Sequence, residues 1–348
     1  MSWLSPMRTF LTPLLRAATG TVLSVLVCAF VLPGAARAQD STFFRIATGS
    51  SAGTYFPIGS IIAGAISSPP GSRACAQGGS CGVAGMIAVA QTTHGSVQNI
   101  ELIAKRQVES GFSQADVAYW AFYGEAMFAN KGRHPELRAL ANLYPELVHI
   151  VVRADSDINA IAGLAGRRIS LGAEGSGTRM DASAILAAYG LDAGSYDAVR
   201  KQPGASADLL RDGMIDAFFI VGGAPFPAIA DLAERMTIRL LPIDGERAEH
   251  IVSDHPFFVR ASIPQGAYVN TQATPTLSVG AQWLISADVD ADMVYGIARA
   301  LWHPNTRRLL DRGHVNGRQI KLESALHGIA IPLHEGAERY YREIGLLK

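Results

Sequence analysis

Phe43-Phe44-Arg45-Ile46-Ala47-Thr48, followed by Gly49-Ser50-Ser51-Ala52-Gly53-Thr54-Tyr55, is the stretch whose reading decides the fold. An apolar run leads into a glycine- and serine-rich turn, and the apolar segment Ile58 to Ile66 then continues as a helix. The order is strand, turn, helix. Such a turn aims backbone N–H groups and hydroxyls at one point, where the positive end of the helix dipole favours an anion. Arg167 to Leu186 repeats the arrangement in the second half of the chain. Two anion-friendly turns so far apart predict two lobes closing on one small acidic ligand.

Upstream of the first turn, Arg8 and Arg16 precede the apolar run Thr21 to Leu32, and Ala36-Arg37-Ala38 follows it as an A-x-A cleavage site. This reads as an export signal over residues 1–38, cleaved after Ala38. The run is short for a membrane span, which needs about 20 apolar residues. The precursor carries 30 Lys+Arg and 30 Asp+Glu. Losing Arg8, Arg16 and Arg37 leaves the mature chain slightly acidic. No basic tract points to nucleic acid. The expected product is periplasmic, monomeric and large enough for two domains.

Cys75 and Cys81 remain after cleavage, in Cys75-Ala-Gln-Gly-Gly-Ser-Cys81. An oxidising compartment favours a local disulfide between them. Two thiolates are too few for a metal site, and His94 is the nearest histidine in sequence. No metal and no cofactor are expected.

Strands alternate with helices along the rest of the chain, as expected of α/β layers. A strand is expected over Val83 to Ala90, then a helix from His94 through about Ser110. Phe112 to Val117 reads as a short strand and turn, and Tyr119 to Ala129 as a helix. Leu137 to Leu143 and Leu147 to Val152 are β-rich and mark a first crossover. Val279 to Ile285 marks the return. The expectation is an α/β, two-lobed, type II-like periplasmic binding fold with two hinge crossovers and the ligand in the interlobe cleft. One lobe would comprise 39–147 with 276–348, the other 148–275.

Several segments together resemble the TAXI class of solute receptors of TRAP-type transporters. They are Thr48 to Pro57, Gly95-Ser96-Val97-Gln98-Asn99, Gln114-Ala115-Asp116-Val117-Ala118 and Leu137 to Glu146. Gly175-Ser176-Gly177-Thr178, Ile215 to Gly223 and Ala337 to Glu343 complete the set, in the expected order over nearly the whole mature chain. The resemblance implies a receptor that captures a small carboxylate, such as glutamate or a 2-oxoglutarate-like acid. It would deliver that ligand to membrane subunits driven by an ion gradient and catalyse nothing. The chain departs from the pattern at Ser50 and Ser51, where the class carries more glycine, and at Thr93-His94, where Thr-Gly is usual.

The candidate ligand contacts are Gly49, Ser50, Thr54 and Tyr55 in the first turn, and Gly95 and Ser96 at the next helix start. Gln114 follows as an amide donor, then Ser176, Gly177 and Thr178 in the second turn. Gly222, Gly223 and Pro225 come at the end of a buried strand. Thr178 and Asp181 read as a capping box. Arg179 reads as a solvated helix arginine. Glu174, the one acid in a predicted ligand turn, is a candidate partner for a ligand amino group, and His94 is a candidate contact. Two non-enzymatic alternatives share the fold, an ABC-importer receptor and a sensor-linked receptor. An enzymatic alternative rests on Gly49-Ser50-Ser51-Ala52-Gly53, which fits the G-x-S-x-G nucleophile elbow and would make Ser51 the nucleophile of an esterase. An elbow on the first strand, however, leaves no upstream loop to complete an oxyanion hole.

Overall fold

A computed structural model of the protein describes residues 41–255 and 257–348. The export signal and its cleavage site lie outside the described residues.

The first strand, β1 (Thr42–Ala47), feeds the Gly49–Thr54 turn and helix α1 (Tyr55–Ile66). Ile58, Ile62 and Ile66, four residues apart, fall on one face of α1 and are fully buried. The short β2 (Ser67–Ser68) and β3 (Val83–Ala84) pair with each other. Between them lies the loop closed by the Cys75–Cys81 disulfide. A glycine at φ 78°, Gly85, separates β3 from β4 (Met86–Gln91), so the single strand expected over 83–90 is divided. Helix α2 (Ser96–Ala104) is shorter than its expected extent, because Arg106 turns to φ 55° and stops it. Then come β5 (Ser110–Gln114) and α3 (Ala115–Tyr123), where Gly124 at φ 74° ends the helix early.

The two β-rich segments around residue 145 form one strand, β6 (Leu137–Arg153). Its first part pairs with the long β12 (Thr274–Ser286), and Leu147 to Val152 pair with β9 (Ala217–Gly222). Between β6 and β9 run β7 (Arg168–Ser170), α4 (Gly177–Ala188), β8 (Asp197–Val199) and α5 (Pro203–Arg211). Between β9 and β12 run α6 (Pro227–Arg235), β10 (Ile238–Leu240), α7 (Gly245–Asp254) and β11 (Val259–Ile263). Helices α8 (Ala291–Leu301), α9 (Pro304–Gly313) and α10 (Glu335–Glu343) follow.

The main sheet has the order β4-β1-β5-β12-β6-β9-β7-β8, with β10 and β11 branching off β6 and β12. Helices cover both faces, so its strands are buried apolar runs. Separate cores form along this sheet. One gathers Phe44, Phe112 and Trp283 with Ile297 of α8 and Tyr341 of α10. Others gather Ile150, Phe219 and Ile185, or Phe218, Ile229 and Tyr268. The long strands β6 and β12 run from the first core region into the second, and the turns that end the shorter strands meet between them. The architecture is mixed α/β, a central sheet flanked by helices.

Candidate functional site

A cavity of about 70 Å³ lies where these turns meet, room for roughly five water-sized groups. Four helices point their N-termini at it. Thr54 and Tyr55 begin α1, Gly95 and Ser96 begin α2, Ser176 and Gly177 begin α4, and Gln202 and Pro203 begin α5. The first turns of α-helices leave N–H groups without intrahelical partners and carry partial positive charge. Gly95 stands at φ 116°, a backbone state that suits glycine, and its N–H donates to Thr93 Oγ1 at 3.1 Å. Among the described residues no lysine or arginine lines the cavity. Positive potential there comes from backbone amides, with hydroxyl and amide side chains as further donors.

The two sides of the cavity are fastened to each other. The Gln98 backbone N–H donates to the Gly175 carbonyl at 3.1 Å, and His94 Nδ1 lies 3.0 Å from the Glu174 carbonyl oxygen. Gln114 Nε2 donates to Asp181 Oδ2 across the same gap. A Cβ on Gly177 would fall 1.5 Å from Gln114 Oε1, so the approach of α4 to β5 requires a residue without a side chain.

Three acids sit at this junction, and none is exposed. Glu146, from the middle of β6, lines the cavity, and its Oε2 accepts from the Tyr55 hydroxyl at 2.6 Å. Burial raises the Glu146 carboxyl to about 8, with Tyr55 opposing the shift and Asp116 adding to it. Burial likewise holds the Tyr55 phenol well above its ordinary range, so it stays a donor. Asp116 of α3 and Asp181 of α4 are fully buried, and their carboxyls interact as a pair. Both Asp116 oxygens and Asp181 Oδ1 have no donor. Burial raises both groups, and for Asp181 the neighbouring Asp116 adds to the shift.

Of the residues singled out from the sequence, Gly49, Ser50, Thr54, Tyr55, Gly95 and Ser96 line the cavity from one side, together with Gln114 and His94. Ser176, Gly177 and Thr178 line it from the other. Gly222, Gly223 and Pro225 do not. A Cβ on Gly222 would meet Phe226 at 2.6 Å and one on Gly223 would meet Asn316 at 2.8 Å, so these glycines serve packing. The Pro225 carbonyl accepts from Asn316 Nδ2 at 3.2 Å.

The capping-box reading of Thr178 and Asp181 is overturned. Ser176 caps α4 by accepting from the Arg179 N–H at 3.3 Å, while Thr178 Oγ1 accepts from the Val221 N–H at 3.1 Å. Asp181 turns inward to Gln114. Glu174 does not reach the cavity, since its carboxylate pairs with Arg179 and Arg200 outside. The acid that does reach it, Glu146, closes a segment quoted for another reason. Its signal was an acid inside an otherwise apolar strand.

Ser51 is exposed on the turn, and His94 is engaged with the Glu174 carbonyl. The histidine near the disulfide is His303, whose Nε2 lies 4.0 Å from Cys75 Sγ, and not His94. Joined as a disulfide, the two sulfurs are not thiolate ligands.

The NMT1-like family matches residues 46–345, which takes in the cavity, both turns and all of the sheet but the start of β1. The chain belongs to the NMT1-like family. Among solved structures, a protein of Bordetella bronchiseptica RB50 is similar at 14% identity and a TM-score of 0.51, over 86% of this chain and 81% of that one. The alkanesulfonate-binding protein SsuA from Xanthomonas axonopodis pv. citri, bound to MOPS, shares 15% identity with a TM-score of 0.45, over 87% and 84%. PhnD1 from Prochlorococcus marinus, in complex with methylphosphonate, shares 10% with a TM-score of 0.49, over 87% and 98%. At such identities the likeness is one of fold alone. The family match does not by itself show the TAXI class. No helix among the described residues is long and apolar enough to cross a membrane.

Proposed function

We propose that this NMT1-like chain is an extracytoplasmic solute receptor that closes over a small carboxylate-bearing solute and presents it to the membrane components of an ABC-type importer. The observation that carries the reading is the cavity itself, set between helix N-termini from both sides and bridged by hydrogen bonds across the gap. Residues 39–147 with 276–348 form one lobe in this reading, and 148–275 the other, with β6 and β12 as the hinge strands. The ligand docks against α1 and α2, and the starts of α4 and α5 complete the site on closure. Closure follows only if the ligand binds the closed state better than the open one. NMT1-like membership favours the ABC-type importer. The TAXI-like segments favour a second reading, delivery to TRAP membrane subunits, with glutamate or a 2-oxoglutarate-like acid as ligand.

A thermal-shift screen of the refolded protein tests the receptor reading, using amino acids, 2-oxo acids, dicarboxylates, monocarboxylates and sulfonates. An acid at a hundred times its Kd stabilises the native state by about 2.7 kcal/mol. No shift with any acid would overturn the reading. Uptake into vesicles carrying the membrane partners then separates the two importers, by dependence on ATP or on an ion gradient.

A further inference from the structure

We propose that Glu146 is the anchor for a protonated amine, so that the solute taken is a small zwitterion carrying an ammonium and an anionic group, not a simple anion. The inference rests on the receptor reading and narrows its ligand.

The cavity is electrically two-ended. Helix N-termini supply partial positive charge without any basic side chain, and they suit the ligand's anionic group. Glu146 lines the same cavity and is only 2% exposed. Its Oε2 is held by Tyr55, and Oε1 has no hydrogen-bond partner among the described residues. The groups around it offer no compensation. Tyr55 and Tyr144 are phenols held in their neutral form, Asp116 and Asp181 are further buried acids, and His94 is turned to the Glu174 carbonyl. A plain anion entering this space forces Glu146 to keep its proton. An ammonium instead meets a carboxylate, and the desolvated pair is strong where both ends are hydrogen-bonded. The sequence reading placed an amine contact at Glu174, which faces the outside. The geometry moves that role to Glu146.

The test compares matched ligands that differ in the amine alone: glycine and acetate, alanine and propionate, glutamate and glutarate, taurine and ethanesulfonate. Calorimetry on the wild-type protein is expected to show at least tenfold preference for the amine-bearing member of the pair that fits. Ionisation of Glu146 on binding that member would release a proton to the buffer, read from the buffer dependence of the heat. Glu146→Gln is expected to remove the preference, weakening the amine-bearing ligand at least tenfold and leaving its partner unchanged or tighter. Equal affinity of the wild type for both members, or equal effects of the substitution on them, would overturn the proposal while leaving the receptor standing. A wild type that binds no member of any pair would overturn the receptor reading with it. The wild-type preference and proton count stand even if the variant folds poorly.

Discussion

Replacing Glu146 by glutamine should make the ligand-free protein more stable, by an amount that grows with pH. The Glu146 carboxyl is raised from 4.5 to about 8 on folding, chiefly because it is fully buried. Between those two values the folded state holds a proton that the unfolded state has lost, so wild-type stability falls as pH rises. The cost is under about 1 kcal/mol at pH 5, about 3 kcal/mol at pH 7 and about 4 kcal/mol at pH 8. Glutamine has nearly the same shape, keeps an oxygen to accept from Tyr55 and does not titrate. Urea unfolding of both proteins at half-unit steps from pH 5 to 8 gives the difference curve. His149, also on β6, bends the wild-type curve the other way. Burial lowers its imidazole to about 4, and Tyr268 Oη lies 2.8 Å from its Nε2. Its contribution is present above the unfolded value of 6.5 and is lost as pH falls toward 4. It is common to both proteins and cancels in the difference. A difference that stays within about 0.5 kcal/mol from pH 5 to 8 would refute the assignment of a neutral, buried Glu146.

Gly177→Ala is expected to weaken ligand binding at least tenfold, about 1.4 kcal/mol, because the new methyl collides with Gln114 and Ser96 across the gap. Calorimetry with whichever ligand the screen identifies measures this, while the urea midpoint of the empty protein should hold. Joint replacement of Cys75 and Cys81 by serine opens a short loop that contributes no residue to the cavity. It should lower unfolding free energy by about 2 kcal/mol at most and leave ligand affinity unchanged.

The elements that build the cavity were legible where local chemistry dominates. An apolar run, a glycine turn and an apolar helix mark β1 and α1, and the same pattern marks the start of α4. Those cues placed Ser96, Gly177 and their neighbours correctly at helix starts. What escaped depends on long-range pairing. Pro145 cannot donate to a ladder, so β6 read as two strands. The strand continues because its pairing hands over from β12 to β9 near Leu147, and Pro145 needs satisfy only the β12 side. Glu146 is hidden for a related reason, since an acid beside proline in a strand resembles a solvent-facing position. Asp181 fits a capping spacing, and only contact with Gln114 shows that it turns inward. Gln202 and Phe226 carry no motif and reach the cavity because they follow β8 and β9, which both pair with β7 in parallel.

The division of the cavity's donors between the two sides bears on how cargo would leave. No single charged side chain grips the solute's anionic group, so at that end of the solute there is no strong bond that the membrane partner of the proposed importer must break. Separating α4 and α5 from α1 and α2 by a few ångströms strips away about half the amide donors at once and admits water to the remainder. Retention of the anionic end would therefore be a property of the shut molecule, and a partner that prises the halves apart would loosen that end without having to compete for it.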